Sequence, residues 1–400
     1  MTTTDSCEYL VIGAGIVGLA IARQLAITDP VARIIVVDKE SAAGLHASGR
    51  NSGVLHAGFY YAPDSLKAQL TRNGNRMLRE FLESKDVSIR ECGKVVVASH
   101  ENQLDALDEL ARRATANGVD VQTIDSQELA YLEPRAQTVD RALWSPTTAV
   151  ADPVAVISAI AGDVEQRNVQ LRFNEAVLSI ESNEVTTTRT TYTATHIINC
   201  AGLYADRIAT MAGLEHSYVM LPFKGLYWKA NVPAGYLQRH VYPVPDPKNP
   251  FLGVHATVTV NGEIKIGPTA IPALSRENYQ TLSGLHRDEI AEVLINLPKF
   301  LTSPHHDAKE LIASEVPKYI KRKLVEQAAL LVPDLTPKMF THKLQPGIRA
   351  QLFDKANKRL EMDFVVKSEG QTTHVLNAVS PAWTSSLAFA EHVVAHIATR

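Results

Sequence analysis

Gly13-Ala14-Gly15-Ile16-Val17-Gly18 constrains this chain more than any other stretch, because of what flanks it. Residues 9–12 before it read as a short apolar strand. Residues 19–27 read as a helix stopped at Asp29-Pro30, and 31–37 as a second apolar strand ending in Asp38, 20 residues beyond Gly18. Strand, glycine turn, helix, strand and terminal acid within about 30 residues define a βαβ dinucleotide-binding unit. Gly13, Gly15 and Gly18 allow the tight turn, the close approach of a pyrophosphate and the packing of helix on strand. The N–H groups of Ile16 and Val17 would face the phosphates at the positive end of the helix, and Asp38 would accept from ribose hydroxyls. This unit alone does not separate NAD from FAD. Strands so continuously apolar point to a parallel sheet buried on both faces.

Length and charge narrow the rest. At roughly 100–200 residues per domain, 400 residues suggest two or three domains with a sizeable core. Forty Lys+Arg against 43 Asp+Glu leave a net charge of -3, which argues against a nucleic-acid partner. Cys7, Cys92 and Cys200 are too few and too scattered for a disulfide scaffold or a zinc cluster, so a reducing cytosol fits best. The first residues lack the basic and apolar regions of a secretory signal. No apolar run approaches the ~20 residues of a spanning helix, which leaves peripheral membrane contact open.

Residues 41–62, rich in Gly, Ser, His and Asn, form a long connection that favours function. Pro63-Asp64-Ser65 opens a helix with Leu66, Leu70, Met77, Leu78, Phe81 and Leu82 at helical spacing. A strand at 95–98, helices at 102–116, 126–132 and from 153, and short strands over 169–199 follow. Segments 218–230 and 251–267 are strand-like, with Val260-Asn261-Gly262-Glu263 signalling a two-residue hairpin turn that needs positive φ twice. Residues 282–335 read as mostly helical, and 387–398 as a final helix. Parallel βα units followed by antiparallel strands imply a second domain.

Further segments carry a resemblance: Ser48-Gly49-Arg50-Asn51-Ser52-Gly53-Val54-Leu55-His56-Ala57-Gly58-Phe59-Tyr60-Tyr61, Cys92-Gly93-Lys94, Asn199-Cys200-Ala201-Gly202, Pro222-Phe223-Lys224-Gly225, Pro346-Gly347-Ile348-Arg349 and Asn377-Ala378-Val379-Ser380-Pro381. Together they resemble the FAD-dependent L-2-hydroxyglutarate dehydrogenase and oxidase family, among the D-amino-acid-oxidase-like flavoproteins, over nearly the whole chain. Lys224 stands where that family usually has Arg, and Val379 where it has Pro. The resemblance implies an α/β fold with a Rossmann-type FAD-binding domain assembled from discontinuous segments (1–92, 152–215 and 340–400). It also implies an α+β substrate domain with a mainly antiparallel sheet (93–151 and 216–339). It implies FAD as cofactor, a small 2-hydroxy acid as substrate, and an electron acceptor that is oxygen or a membrane quinone.

Oxidising a 2-hydroxy acid requires hydride loss from Cα and removal of the hydroxyl proton, a task suited to histidine. His56, in the loop expected to pass over the flavin, is the first candidate, and His255 the second. Arg349 offers two-point recognition of a carboxylate; Arg50, Lys67 and Lys224 are further cations, and Tyr61 would line the pocket. Lys39 beside Asp38, Ser48, Asn51, Ser52, Val177, Ala201 and Gly202 would contact the cofactor. Ser380, Pro381, Thr384 and Ser385, just before the last helix, would set its N-terminus against the flavin. His305-His306-Asp307 has no metal-ligand spacing and reads as a polar turn. An amino-acid or amine oxidase on the same fold, a flavin-binding protein without turnover and, more remotely, an NAD-dependent dehydrogenase remain as alternatives.

Overall fold

The computed structural model describes residues 3–246, 249, 251–280, 283–305 and 307–398, and of 308 and 309 the backbone alone. β1 (Thr3–Ile12), α1 (Ile16–Thr28) and β2 (Ile34–Val37) form the strand–turn–helix–strand unit, with the two strands parallel. β1 begins before its apolar run because residues 3–7 pair with 190–194 in parallel register. β2 starts at Ile34 rather than 31: the Ala32 N–H donates to the Asp29 carbonyl, closing a turn that leaves Val31 94% exposed.

The parallel sheet runs Thr372–Asn377, Thr190–Asn199, β1, β2 and Gln170–Arg172, so its strands come from three separated stretches of chain. Alternate residues face opposite sides. Val11 and Val36 pack with Leu19, Ile160 and Phe389 under three helices, α1, Pro153–Gln166 and Ala382–Ala398. Leu10 and Ile35 pack with Ile197 and Ile208 on the other side. The helix Leu66–Ser84 starts at Ser65, whose Oγ accepts from the Ala68 N–H, while the Asp363 carboxylate accepts from the N–H groups of Leu66 and Lys67.

The second region is built on two sheets. One orders Phe340–Lys343, Trp228–Ala230, Ile264–Gly267, His255–Val258, His240–Pro243, Lys94–Val97, Arg141–Ser145 and Gln122–Asp125; all its pairs are antiparallel except His240–Pro243 with Lys94–Val97. In the other, Tyr218–Gly225 pairs antiparallel with Gly347–Asp354. The boundary expected at 340 therefore falls before two strands that pair with this region, and the chain rejoins the first sheet through the hairpin Val365–Glu369 and Thr372–Asn377.

Two local expectations are corrected. The hairpin loop spans three residues, because the Thr259 N–H bonds the Glu263 carbonyl while the Gly262 N–H bonds Thr259. Only Gly262 has positive φ (79°), as in a type I turn completed by a glycine bulge. The final helix begins at Ala382, not 387, so Thr384 and Ser385 lie within its first turn. The helices Arg287–Leu301, Ala308–Glu315 and Lys321–Ala329 fill the stretch read as helical; residues 281, 282 and His306 lie outside the described residues. Among the described residues no helix is long and apolar enough to cross a membrane.

Candidate active site

A cavity of about 1500 Å³ runs from the β1–α1 turn to the antiparallel sheets. At its first end the walls are largely backbone. Gly13 has φ +109°, and a Cβ there would lie 2.5 Å from the Cys200 carbonyl oxygen, so the turn presses against the end of the strand Thr190–Asn199. The Asp38 carboxylate accepts from the Ala14 N–H at 2.6 Å, and Ser48 Oγ from the Ile16 N–H at 2.9 Å, which fixes the turn from both sides. Gly13, Gly15, Ile16, Val17, Asp38, Lys39, Ser48, Asn51, Ser52, Val177, Ala201 and Gly202 all line the cavity here. Gly18 does not; it packs α1 onto the Gly13 carbonyl. Asn51 spends its amide on the loop itself, donating to Ala47 and Ser48 carbonyls and accepting from the Gly53 N–H. A trough of bare glycine backbone, small side chains and a helix N-terminus matches what a dinucleotide pyrophosphate requires.

Lys39 forms ion pairs with Glu40 and Glu277, and His46 bonds the Tyr279 hydroxyl at 2.6 Å. Arg50 lies over the Tyr279 ring at 4.0 Å and donates to the Leu45 carbonyl at 2.7 Å. Arg50 lines the cavity as well, its guanidinium on this cluster and its backbone against Gly347, two residues before Arg349. Glu40, His46 and Glu277 bring ligand-type atoms within 4.8 Å, but the Lys39 ammonium already satisfies both carboxylates.

At the far end side chains take over. The His56 backbone is held between two helices: its N–H donates to Thr384 Oγ1 (3.1 Å), and its carbonyl accepts from Asn75 Nδ2 (3.1 Å). Thr384 in turn donates to the Val54 carbonyl. His56, His255, Tyr61, Lys67, Arg349, Ser380, Pro381 and Thr384 line the cavity. His255 Nδ1 lies 2.9 Å from the Gly253 carbonyl oxygen, which only accepts, so Nδ1 donates and Nε2 is left as an acceptor. The Tyr242 ring stacks on His255 at 3.9 Å. Burial drives His255 down to about 3, with Lys94, Lys265 and Arg349 opposing its charge further, and burial likewise holds His56 well below the usual histidine range. Burial also lowers Lys67 to about 8; Asp363 opposes that shift and the positive charge of Arg349 adds to it. Arg349 is itself lowered by burial.

Two expected residues face elsewhere. In the pairing of Tyr218–Gly225 with Gly347–Asp354, Phe223 sits opposite Arg349 and lines the cavity. Lys224, the next residue, points to the other face, where Nζ donates to Asn278 Oδ1 at 3.0 Å. Ser385 is buried, its Oγ bonded to the Pro381 carbonyl. Sequence reasoning passed over Tyr227, Tyr242 and Glu277, all in the cavity wall, and Lys94 behind it. A lysine opening the otherwise apolar run Lys94-Val95-Val96-Val97 was the available signal for the last.

The family model described as FAD dependent oxidoreductase matches residues 8–396. Among curated proteins, the L-2-hydroxyglutarate dehydrogenase of Escherichia coli (strain K12) is 33% identical, over 98% of this chain and 93% of that protein. The mitochondrial L-2-hydroxyglutarate dehydrogenases of Caenorhabditis elegans and Bos taurus are 35% and 31% identical, over 98% and 100% of this chain and 93% and 90% of theirs. Among solved structures, L-alpha-glycerophosphate oxidase from Mycoplasma pneumoniae with FAD bound superposes with a TM-score of 0.77 at 21% identity, covering 98% of this chain and 94% of that one. Glycine oxidase from Geobacillus kaustophilus reaches 0.71 at 19% identity, with the same coverage of both chains.

Proposed function

The chain belongs to the FAD dependent oxidoreductase family, and on that premise we propose that it oxidises L-2-hydroxyglutarate, or a close 2-hydroxy dicarboxylate, to the 2-oxo acid. The observation that carries this reading is the pairing of two cations, Arg349 and Lys67, with two uncharged imidazoles in one cavity. A dicarboxylate meets both cations, whose mutual repulsion then falls away. An amino acid with an apolar side chain would leave one of them desolvated and unpaired. The names of the curated relatives support the same substrate.

Bound FAD supplies the hydride acceptor, and the glycine turn, Asp38, Ser48 and the N-terminus of the helix Ala382–Ala398 are the groups that would hold it. Arg349 takes the carboxylate next to the hydroxyl. His255 accepts the hydroxyl proton at Nε2: Arg349 is among the charges acting on it, and its Nδ1 is committed to Gly253. His56 bounds the same space from the helix side and is the alternative acceptor. In acid the protonated imidazoles would no longer serve, so activity should fall only below the ordinary histidine range. Residues 340–360 are assigned to the substrate part, which moves its last boundary past the strand Arg359–Leu360. Mixing the yellow holoprotein anaerobically with L-2-hydroxyglutarate should abolish its visible flavin absorption, while L-amino acids leave it unchanged. A flavin that stays oxidised with the hydroxy acid rejects the assignment, and reduction by amino acids instead selects the oxidase alternative.

A further inference from the structure

Lys94 has no exposed surface, and its Nζ makes no hydrogen bond among the described residues. It lies 4.5 Å from the ring centre of Phe59, 4.3 Å from that of Tyr60 and 5.0 Å from that of Tyr242. Three ring faces and no acceptor amount to a cation–π cage. A leucine or methionine would fill such a space without the desolvation cost of an amine.

Sheet register explains what the cage adjoins. Lys94 sits opposite His240, and Val241 opposite Ala256. Val95, Val241, Ala256 and Ile264 turn into an apolar core. The other face therefore carries Lys94, His240, Tyr242, His255, Thr257 and Lys265 in neighbouring strands. Tyr242 links the strands on either side of its own, contacting the Lys94 amine while stacking on His255.

The groups facing the row are its own His240, Tyr242, His255 and Lys265, with Cys92 bonded to His240 from the preceding turn. From the other elements come His56 and Tyr60 of the 54–61 loop, and Arg349 and Tyr227 across the cavity. On the helix behind Tyr60, Glu109 is taken up by Arg112 and Arg113. The charges that act on His56 and His255 are thus positive, Lys94 among them in both cases.

We propose that Lys94 is a positioning residue for hydroxyl oxidation: its ammonium, held behind Tyr242 by three rings, repels protons from His255 and His56 and so sets how far into acid these imidazoles stay unprotonated and open to the substrate's proton. This rests on the hydroxy-acid reading above. Burial brings the amine to about 7, so as the pH falls Lys94 takes up its proton before the imidazoles do, and its repulsion is in place when they need it.

The test is the pH profile of kcat/KM with L-2-hydroxyglutarate for wild-type holoenzyme, Lys94→Met and Lys94→Arg, with flavin content as the folding control. Removing the charge should move the acid limb up by about one pH unit, a tenfold loss on that limb with a much smaller loss on the alkaline plateau. Lys94→Arg, which keeps the charge, should hold the wild-type limb. An equal loss at every pH in Lys94→Met, or a shift in Lys94→Arg matching it, overturns the proposal. If Lys94→Met fails to retain flavin, Lys94→Gln makes the same comparison. Wild-type enzyme that never turns over the hydroxy acid overturns the substrate assignment and Lys94 with it; an active wild type beside an unshifted variant overturns Lys94 alone.

Discussion

At the nucleotide end of the cavity the walls are glycine backbone, helix N-termini and one acid bonded to the turn beside it; at the substrate end they are long side chains sharing one face of an antiparallel sheet. The first end takes its glycine turn, Asp38 and Ser48 from one early stretch, with Val177, Ala201 and Gly202 closing it from neighbouring strands, and its charges are exposed or paired. The second gathers His56, Lys67, His255 and Arg349 from distant segments and buries them, Lys67 near Asp363 and the two imidazoles among positive charges. Binding a constant cofactor needs shape and donors that backbone supplies. Moving a proton needs groups held away from their ordinary charge state, which only burial and neighbouring charges provide.

The sharpest test of this division is a pair of substitutions. His255→Gln should slow reduction of the bound flavin by roughly 10² to 10⁴, the range for a lost acid–base group, while the protein stays yellow. Gly13→Ala should yield colourless protein, since its φ of +109° and the Cys200 carbonyl leave no room for a Cβ. Stopped-flow absorbance and flavin content read the two effects; a His255 variant that sheds flavin, or a Gly13 variant that keeps it, breaks the comparison.

Acid stability separates the two ends next. His240 and His255 are both held near 3 by burial, against about 6.5 in the unfolded chain. Below about 6.5 the unfolded chain binds protons that the folded one refuses, so stability present above that pH is lost as it falls towards 3. The slope is about 1.4 kcal/mol per pH unit for each histidine. On the nucleotide side, burial raises Asp163 but bonds from Lys85 and Arg167 bring it to about 2, so its contribution is complete above about 4 and lost only in stronger acid. Urea midpoints between pH 6.5 and 4.5 should therefore track the substrate wall, and His240→Asn should remove about one histidine's share of the slope; an unchanged slope contradicts this.

The smallest effect tests facing within one strand pair. Arg349→Met should raise KM for the hydroxy acid about 10–150-fold, the worth of hydrogen bonds to a charged group. Lys224→Met, one residue along from Arg349's partner Phe223, should change it less than about threefold. Equal effects in steady-state kinetics would mean Lys224 reaches the substrate after all.

The same contrast governs what could be read in advance. The glycine turn and Asp38 were legible because they signal themselves within a few residues, whereas the loop carrying Ser48 and His56 was read through its resemblance to a family. Lys224 was counted for its charge, but its direction depends on strand parity, which is set by pairing with residues more than 100 positions away. Lys94 was passed over for the same reason, its cage being made by Phe59, Tyr60 and Tyr242 on other elements. The Asn-Gly turn was recognised but its loop misjudged, because ladder bonds at Thr259 and Glu263, not the dipeptide, decide where the strands end.

The three-part origin of the parallel sheet has a consequence for synthesis. Asn199 is translated roughly 170 residues before Thr372, the strand that pairs beside it, and the helix that clamps His56 comes later still. At about 5–20 residues per second, the nascent chain carries an open hydrogen-bonding edge for about 9–35 seconds. Throughout that interval the half-built domain invites pairing with a neighbour on the polysome, and its cofactor can be captured only once the closing segments have left the ribosome.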